Sequence, residues 1–215
     1  LTYQTAYLKA HYPVEFLCAT MTADRDKIEK VVRTIAEGRS FGVETLPPEI
    51  NESKIDFTVV YREAGAAEAP AKSRRSRRRR DAFDPRIRFG LGAIRGVGEA
   101  ALEAVLSARE EGPFRDLFDV VERVDPRRVN KGVLEALVAS GAFDAAHQAI
   151  GVTRAQAFGA IDRALERGRS ASKDRERGQT NLFGLFAAAE PEQAQISDYP
   201  AAEPWDLRET LAREK

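Results

Sequence analysis

The residues best placed to do chemistry in this chain are glycines. Arg95-Gly96-Val97-Gly98 lies within Leu91-Gly-Ala-Ile-Arg-Gly-Val-Gly-Glu-Ala-Ala-Leu102, a short apolar helical piece, a Gly-Val-Gly turn and an amphipathic run. Glycines at such a turn let a phosphate approach the backbone without meeting a Cβ, and the N–H groups that open the following helix point toward the anion. Contacts of this kind read phosphates and not bases, so they are independent of sequence and sensitive to salt. On spacing alone the same residues fit a plain tight turn between two helices equally well. About 30 residues further on, Val124-Asp-Pro-Arg-Arg-Val-Asn-Lys131 has the position of a second hairpin without its glycines. There Arg127, Arg128 and Lys131 either meet phosphate as charged side chains or stand in a solvated turn.

Two further segments have a chemistry of their own. Gln179-Thr180-Asn181-Leu182-Phe183 places a leucine and a phenylalanine in a polar stretch, behind a glutamine able to orient the peptide by hydrogen bonds. Such side chains are expected to fill a partner's groove, or else to fold back onto the chain's own core. Lys72–Arg80 (KSRRSRRRR) is the other segment, and its charge suits either nucleic acid or a solvated insertion.

An enzyme site is not legible. His11 and His147 are the only histidines and have no second ligand at metal spacing, which leaves zinc and histidine-based nucleophilic chemistry without support. A Gly-Lys-Thr phosphate loop is missing, and no pair of carboxylates suggests a two-metal centre. We therefore assign no catalytic residue, no metal ligand and no cofactor to the chain. The lone cysteine, Cys18, sits among Phe16, Leu17 and Met21; it reads as a small core residue and fits a reducing, cytoplasmic setting.

The elements that must position these residues are mostly helical. Helical spacing predicts Leu1–Ala10 with Tyr3, Tyr7 and Leu8 on one side, a helix opened by Pro13 that runs to Thr20, and a helix over 24–38 with Ile28, Val31, Val32 and Ile35 as its stripe. After Val43 the period changes to two: Ile55, Phe57, Val59 and Tyr61 form one strand, and Ile87, Phe89 and Leu91 another. Residues 62–84, rich in Ala, Pro, Ser and Arg, read as a disordered insertion in that hairpin. Helices follow over Gly98–Glu110 (Leu102, Val105, Leu106), Arg115–Val124 (Leu117, Phe118, Val121), from an Asn130 cap to Gly141 (Val133, Leu134, Leu137), and over Thr153–Arg167 (Phe158, Ile161, Leu165). Residues 168–178 are polar, and 184–215 read as a linker that closes on a charged helical run. The fold class is thus mainly α with a small β-hairpin or sheet (α+β).

Composition sets the outer limits. With 215 residues, 43% hydrophobic and 32% charged, the chain suits one ordinary domain or two small ones. No apolar run approaches a membrane span and Leu1–His11 does not read as a signal peptide, so a membrane partner is not expected. The 34 basic and 34 acidic residues balance, but seven of the basic ones crowd into Lys72–Arg80 and the remainder carries 27 against 34, a net of −7. Any nucleic-acid binding by the folded part must then come from local geometry and small patches.

Five islands, in order, resemble the alpha subunit of the bacterial C-family replicative polymerase, DNA polymerase III: Tyr3-Gln-Thr-Ala-Tyr-Leu-Lys-Ala-His-Tyr-Pro13, Leu46-Pro-Pro-Glu-Ile-Asn51, Phe89-Gly-Leu-Gly-Ala-Ile-Arg-Gly-Val-Gly98, Gly112-Pro-Phe-Arg-Asp-Leu-Phe-Asp119 and Ser140-Gly-Ala-Phe-Asp144. The resemblance covers nearly the whole chain. It implies that 1–85 belong to the late fingers and that 86–147 form a tandem helix-hairpin-helix on the product duplex. It further implies a helix and polar linker over 148–178 and an internal sliding-clamp motif at Gln179–Phe183. It also implies that the metal-binding aspartates, with their Mg²⁺, belong to a palm upstream of Leu1 and that an OB domain lies beyond Lys215. Both ends read as cut, so no residue here inherits a catalytic role. The implied partners are primer-template duplex, the sliding clamp and other replisome subunits, in the bacterial cytoplasm near the nucleoid. The Arg-rich insertion departs from the family pattern, while the glycine hairpin and the Gln-x-x-Leu-Phe peptide favour the main replicative enzyme over its error-prone relative. The rival reading is a stand-alone helix-hairpin-helix adaptor carrying a clamp peptide.

Overall fold

The computed structural model describes residues 2–61, 85–176 and 198–214. The chain divides into two compact units, one of Leu1–Pro47 and Ser53–Ala93, the other of Pro48–Glu52 and Ile94–Lys215.

In the first unit α1 (Thr2–His11), α2 (Pro13–Ala23) and α3 (Ile28–Ser40) follow the sequence periodicity, with Pro13 in the first turn of α2, where its missing N–H has no helical acceptor to lose. Strands β1 (Thr45–Leu46), β2 (Thr58–Val60) and β3 (Arg86–Arg88) form a sheet of order β1-β3-β2. The expected antiparallel pair is present, with Val59 opposite Ile87. Residues 62–84, read as its disordered insertion, lie outside the described residues. The sequence did not show β1, which adds to β3 in parallel with Thr45 opposite Ile87; two residues carry no period to read. The first predicted strand is also shorter than expected, because the backbone at 55–57 passes over Gly90 instead of pairing along its length. A Cβ at Gly90 would stand 2.5–2.7 Å from the Asp56 carbonyl carbon, the Ile55 oxygen and the Phe57 nitrogen. Beside it the Leu91 and Gly92 amides donate to the Lys54 and Ile55 carbonyls, each at 2.8 Å, and a 3₁₀ turn follows over Leu91–Ala93.

Leu17, Met21, Val31, Phe57 and Ile87 make the centre of this unit's core. Cys18 packs with them as expected, and burial first, then Asp56 and Glu15, push its thiol up to about 11, which leaves it protonated and inert at neutral pH. The α3 stripe is narrower than its spacing suggested. Val31 is buried and Ile35 partly so, but Ile28 and Val32 face solvent, as do Tyr3, Tyr7 and Leu8 of α1.

The second unit contains α4 (Glu99–Arg109), α5 (Leu117–Arg123), α6 (Lys131–Ala139), α7 (Asp144–Ile150), α8 (Arg154–Glu176) and α9 (Leu207–Arg213). Side chains cap the starts of α5, α6 and α9: Asp116 accepts the Asp119 amide at 2.9 Å, Asn130 the Val133 amide at 3.0 Å and Asp206 the Glu209 amide at 2.6 Å. The loop between α4 and α5 closes around Arg123. Its guanidinium donates to the carbonyls of Ala108, Gly112 and Pro113, pairs with buried Asp119 at 3.3 Å and lies 4.5 Å over the Phe114 ring. In this way one cation satisfies orphan carbonyls at the C-terminal end of α4.

Helix α7 was not legible, because its buried residue is His147 and not an apolar one. Helix α8 packs on α5 and α6 through Ala157, Ala160, Ile161, Ala164 and Leu165, and runs nine residues past the predicted Arg167. The polar stretch read over 168–178 is therefore helical as far as Glu176. Gly168 explains the extension: a Cβ there would lie 2.5 Å from the Val121 carbonyl oxygen, so its absence lets α8 lie close on α5, and Arg175 then donates to the Glu122 carbonyl at 2.6 Å.

The described part of the stretch read as a linker, 198–214, also needs correction, since it straps α8. Tyr199 is 5% exposed, with its ring edge-on to Phe118 at 5.2 Å and to His147 at 5.6 Å. Arg163 donates to the Asp198 carbonyl at 3.0 Å, Trp205 meets Phe158 at 5.5 Å, and Arg213 lies 4.4 Å over the Trp205 ring. At the far end Glu214 pairs with Arg154 at 2.6 Å. Contacts spaced irregularly along an irregular backbone leave no period in the sequence, which is why prolines and polar residues looked like a tether.

Candidate nucleic-acid interface

The first hairpin turn is built around one backbone requirement. Gly96 has φ +89°, a conformation that side-chain-bearing residues avoid, and it turns the chain so that Val97 can donate to the Ile94 carbonyl at 3.3 Å. A Cβ at Gly96 would lie in ordinary contact, 3.7 Å, with the Ala136 methyl of α6; the turn thus rests on the helix that the second hairpin opens. Ile94 is buried beneath it, and Arg95 is exposed.

Gly98 is different. It is the N-cap of α4, with φ −78° and ψ 154°, an extended conformation open to any residue. A Cβ at Gly98 would meet nothing within 4 Å. Neither strain nor crowding inside the chain calls for glycine here, and serine or asparagine would cap the helix better. The space above Gly98 is open to solvent. The Ala101 and Leu102 amides both turn back to the Gly98 carbonyl at 3.1 Å, whereas those of Glu99 and Ala100 have no acceptor among the described residues. The result is a backbone surface with two outward donors, the positive end of α4 and no side chain in front of it, which is suited to an anionic oxygen.

The second hairpin is held by side chains. Asp125 takes the Arg127 amide on its carboxylate at 2.9 Å and the Arg128 amide on its carbonyl at 2.9 Å, while Val124 and Val129 are buried on either side. Arg127 and Arg128 are exposed at the tip. Lys131 is already engaged, its ammonium 2.8 Å from Asp162 of α8, and that carboxylate holds it above the ordinary lysine range. Arg95, Gly96, Val97 and Gly98 therefore share one turn, Arg127 and Arg128 share the other, and Ala136, five residues past Lys131, joins the two hairpins through α6. Gln179, Thr180, Asn181, Leu182 and Phe183 lie outside the described residues.

Among the described residues no cluster of His, Cys, Asp or Glu could hold a metal ion, and no helix is long and apolar enough to cross a membrane. His147, one of the two histidines, is buried and stacked on Phe143 at 5.3 Å; burial drives it down to about 4 against the weaker opposing pull of Asp144. It is a neutral core ring. Residue pattern alone assigns no role to Asn51 or Arg123, whose polar side chains tie loops together; only the fold shows what they bind.

A 3₁₀ turn, a glycine turn and α4, followed by α5, a turn held by Asp125 and α6, define a tandem helix-hairpin-helix. Residues 42–157 match the helix-hairpin-helix motif family, and the chain belongs to that family. It is homologous to proteins named DNA polymerase III subunit alpha. It is 39% identical over 216 residues to that of Escherichia coli K12, covering 100% of this chain and 16% of the relative. It is 40% identical over 191 residues to that of Thermus aquaticus (88% and 13%), and 37% identical over 218 residues to that of Neisseria meningitidis (100% and 16%). The chain thus spans between 13% and 16% of the length of these relatives.

Proposed function

We propose that the chain grips the backbone of double-stranded DNA, without sequence preference, as part of a template-directed DNA polymerase of the replisome, and that Gln179–Phe183 tethers the enzyme to the sliding clamp. The observation that carries the DNA reading is Gly98, a helix cap that the chain itself does not require to be glycine, with open space and two outward amides before it. Arg95, Arg127 and Arg128 supply exposed cations at the two turns. Homology over the full length of this chain to a polymerase subunit supports the larger setting and disfavours a stand-alone adaptor. The clamp reading rests on the peptide sequence and on the resemblance. Nucleotidyl transfer is assigned to other parts of such a polymerase, since no carboxylate cluster for a metal is found among the described residues, and the setting is the bacterial cytoplasm.

The 215-residue chain should bind a short duplex with a Kd of about 10⁻⁴–10⁻⁶ M at physiological salt, weakening as salt rises and indifferent to base sequence. Gly98→Val should reduce that affinity at least tenfold in fluorescence anisotropy, with unchanged circular dichroism. Undiminished binding by this variant sinks the hairpin reading.

A further inference from the structure

We infer that one edge of α8, carrying Arg169 and Lys173, is a second contact surface for the phosphates of duplex DNA, continuous with the tip of the second hairpin. The inference rests on the duplex-DNA reading above and adds residues to it. The turn between α5 and α6 is tied to α8 at both ends. On the α5 side the Glu122 carbonyl accepts Arg175 at 2.6 Å, and on the α6 side Lys131 meets Asp162 at 2.8 Å. Arg127 and Arg128 lie between those ties in sequence, so the tip runs past the interval of α8 from 162 to 175. Arg169 and Lys173 lie in that interval. They follow Asp162 by seven and eleven residues, which at about 100° per residue returns them to within about 20° of its direction, about 10 and 16 Å further along the helix. They therefore share the edge of α8 that Asp162 turns toward the second hairpin.

The charges on this edge are available. Arg128, Arg169 and Lys173 are exposed and have no carboxylate partner among the described residues. Two of the nearby acids are ion-paired, Asp162 with Lys131 and Glu122 with Arg167, while the Asp125 carboxylate accepts the Arg127 amide and keeps its charge. Glu166 is an exposed acid close to the same edge, and Asp174 lies about a third of a turn away from it. Arg128, Arg169 and Lys173 thus form a band of cations, with Arg169 and Lys173 about 6 Å apart along the helix, and Asp125, Glu166 and Asp174 are the acids near it. A polyanion with charges every few ångströms fits it, and duplex DNA carries one charge per about 1.7 Å of axis. The sequence concealed this band because 168–178 read as a polar linker, where the seven- and eleven-residue spacing has no meaning.

The test is salt-dependent binding of a labelled duplex to the 215-residue chain, comparing Arg169→Gln/Lys173→Gln with the wild type. Arg33→Gln/Arg39→Gln, two exposed arginines on α3, serves as a control of equal net charge. The α8 pair should weaken binding at least fivefold at about 0.1 M salt and lower the slope of log affinity against log salt by about 1.8, while the control leaves the slope within about 0.5 of wild type. An unchanged slope in the α8 variant, or an equal fall in the control, overturns the inference. Gly98→Val, measured alongside, reports on the hairpin reading separately: if it abolishes binding while the α8 variant binds normally, the hairpin stands and the α8 surface does not.

Discussion

The Asn51 side chain donates to the Phe114 carbonyl at 2.8 Å and accepts the Phe114 amide at 2.7 Å, replacing both hydrogen bonds that a neighbouring strand would supply. Around it Ile50 donates to the Ala142 carbonyl at 2.8 Å, and Arg109 donates to the Ile50 carbonyl at 3.0 Å. Residues 48–52, distant in sequence, are thus stitched into the tandem hairpin unit, and Phe114 is placed for the Arg123 guanidinium to lie on its ring.

Asn51→Ala should therefore destabilise the chain by about 2–4 kcal/mol, because it leaves two buried backbone groups of Phe114 without partners, each worth about 1–3 kcal/mol. Urea denaturation measures this directly. Asn51→Asp keeps an acceptor and loses the donor, so it should fall between wild type and the alanine variant. A loss below about 1 kcal/mol in Asn51→Ala would show that water replaces the clamp.

The two hairpin glycines should separate stability from binding. Gly96→Val forces a β-branched residue to φ +89° and should cost about 1–3 kcal/mol in thermal unfolding, whereas Gly98→Val, at an extended φ with no neighbour within 4 Å, should change stability by less than about 1 kcal/mol. Both variants should lose duplex affinity. Equal destabilisation by the two would mean that Gly98 is a structural glycine and that the open space before it is not kept for a ligand.

What was legible in the sequence followed from period and capping. Leu102, Val105, Leu117, Val133 and Leu137 announce their helices at 3.6-residue spacing, Asn130 announces a cap, and Val59 and Ile87 announce a strand pair. The Gly-Val-Gly turn was legible as a turn, but its spacing could not separate the constrained Gly96 from the unconstrained Gly98. What escaped was held by side chains acting over long sequence separations. Asn51 and Phe114, Glu122 and Arg175, and Tyr199 and His147 belong to this class, as does the two-residue β1. Polar partners of this kind leave no pattern within a window, so α8 past Gly168 and the strap over 198–214 looked like linkers.

For the clamp peptide, replacing Leu182 and Phe183 by alanine should weaken binding to the sliding clamp at least tenfold. Each buried side chain is worth about 1.5–3 kcal/mol, and about 1.4 kcal/mol corresponds to that factor. A chain already holding the same DNA presents the peptide at roughly millimolar effective concentration, so a modest intrinsic affinity is enough. Calorimetry that finds unchanged clamp affinity together with a large fall in thermal stability would place these side chains in the chain's own core.

The strap gives the last expectation, a dependence of stability on pH. Tyr199 and His147 stand 3.5 Å apart, hydroxyl to Nε2, inside a ring cluster with Phe118 and Phe143. Burial keeps the imidazole neutral, with its pKa at about 4 against an ordinary 6.5. Between those two values the unfolded chain takes up a proton that the folded chain refuses, so stability falls as pH falls through the window and is fully retained above pH 6.5. A gap of this size corresponds to about 3 kcal/mol. His147→Phe removes the titration while keeping a ring to stack on Phe143. Its unfolding free energy should therefore change less between pH 7 and pH 4.5 than that of the wild type, by about 2–3 kcal/mol. The quenching of Trp205, which lies on the same strap beneath Arg213, should follow the wild-type transition but not the variant's. Parallel pH profiles for the two proteins would show that acid sensitivity comes from carboxylates elsewhere and that His147 does not govern the strap.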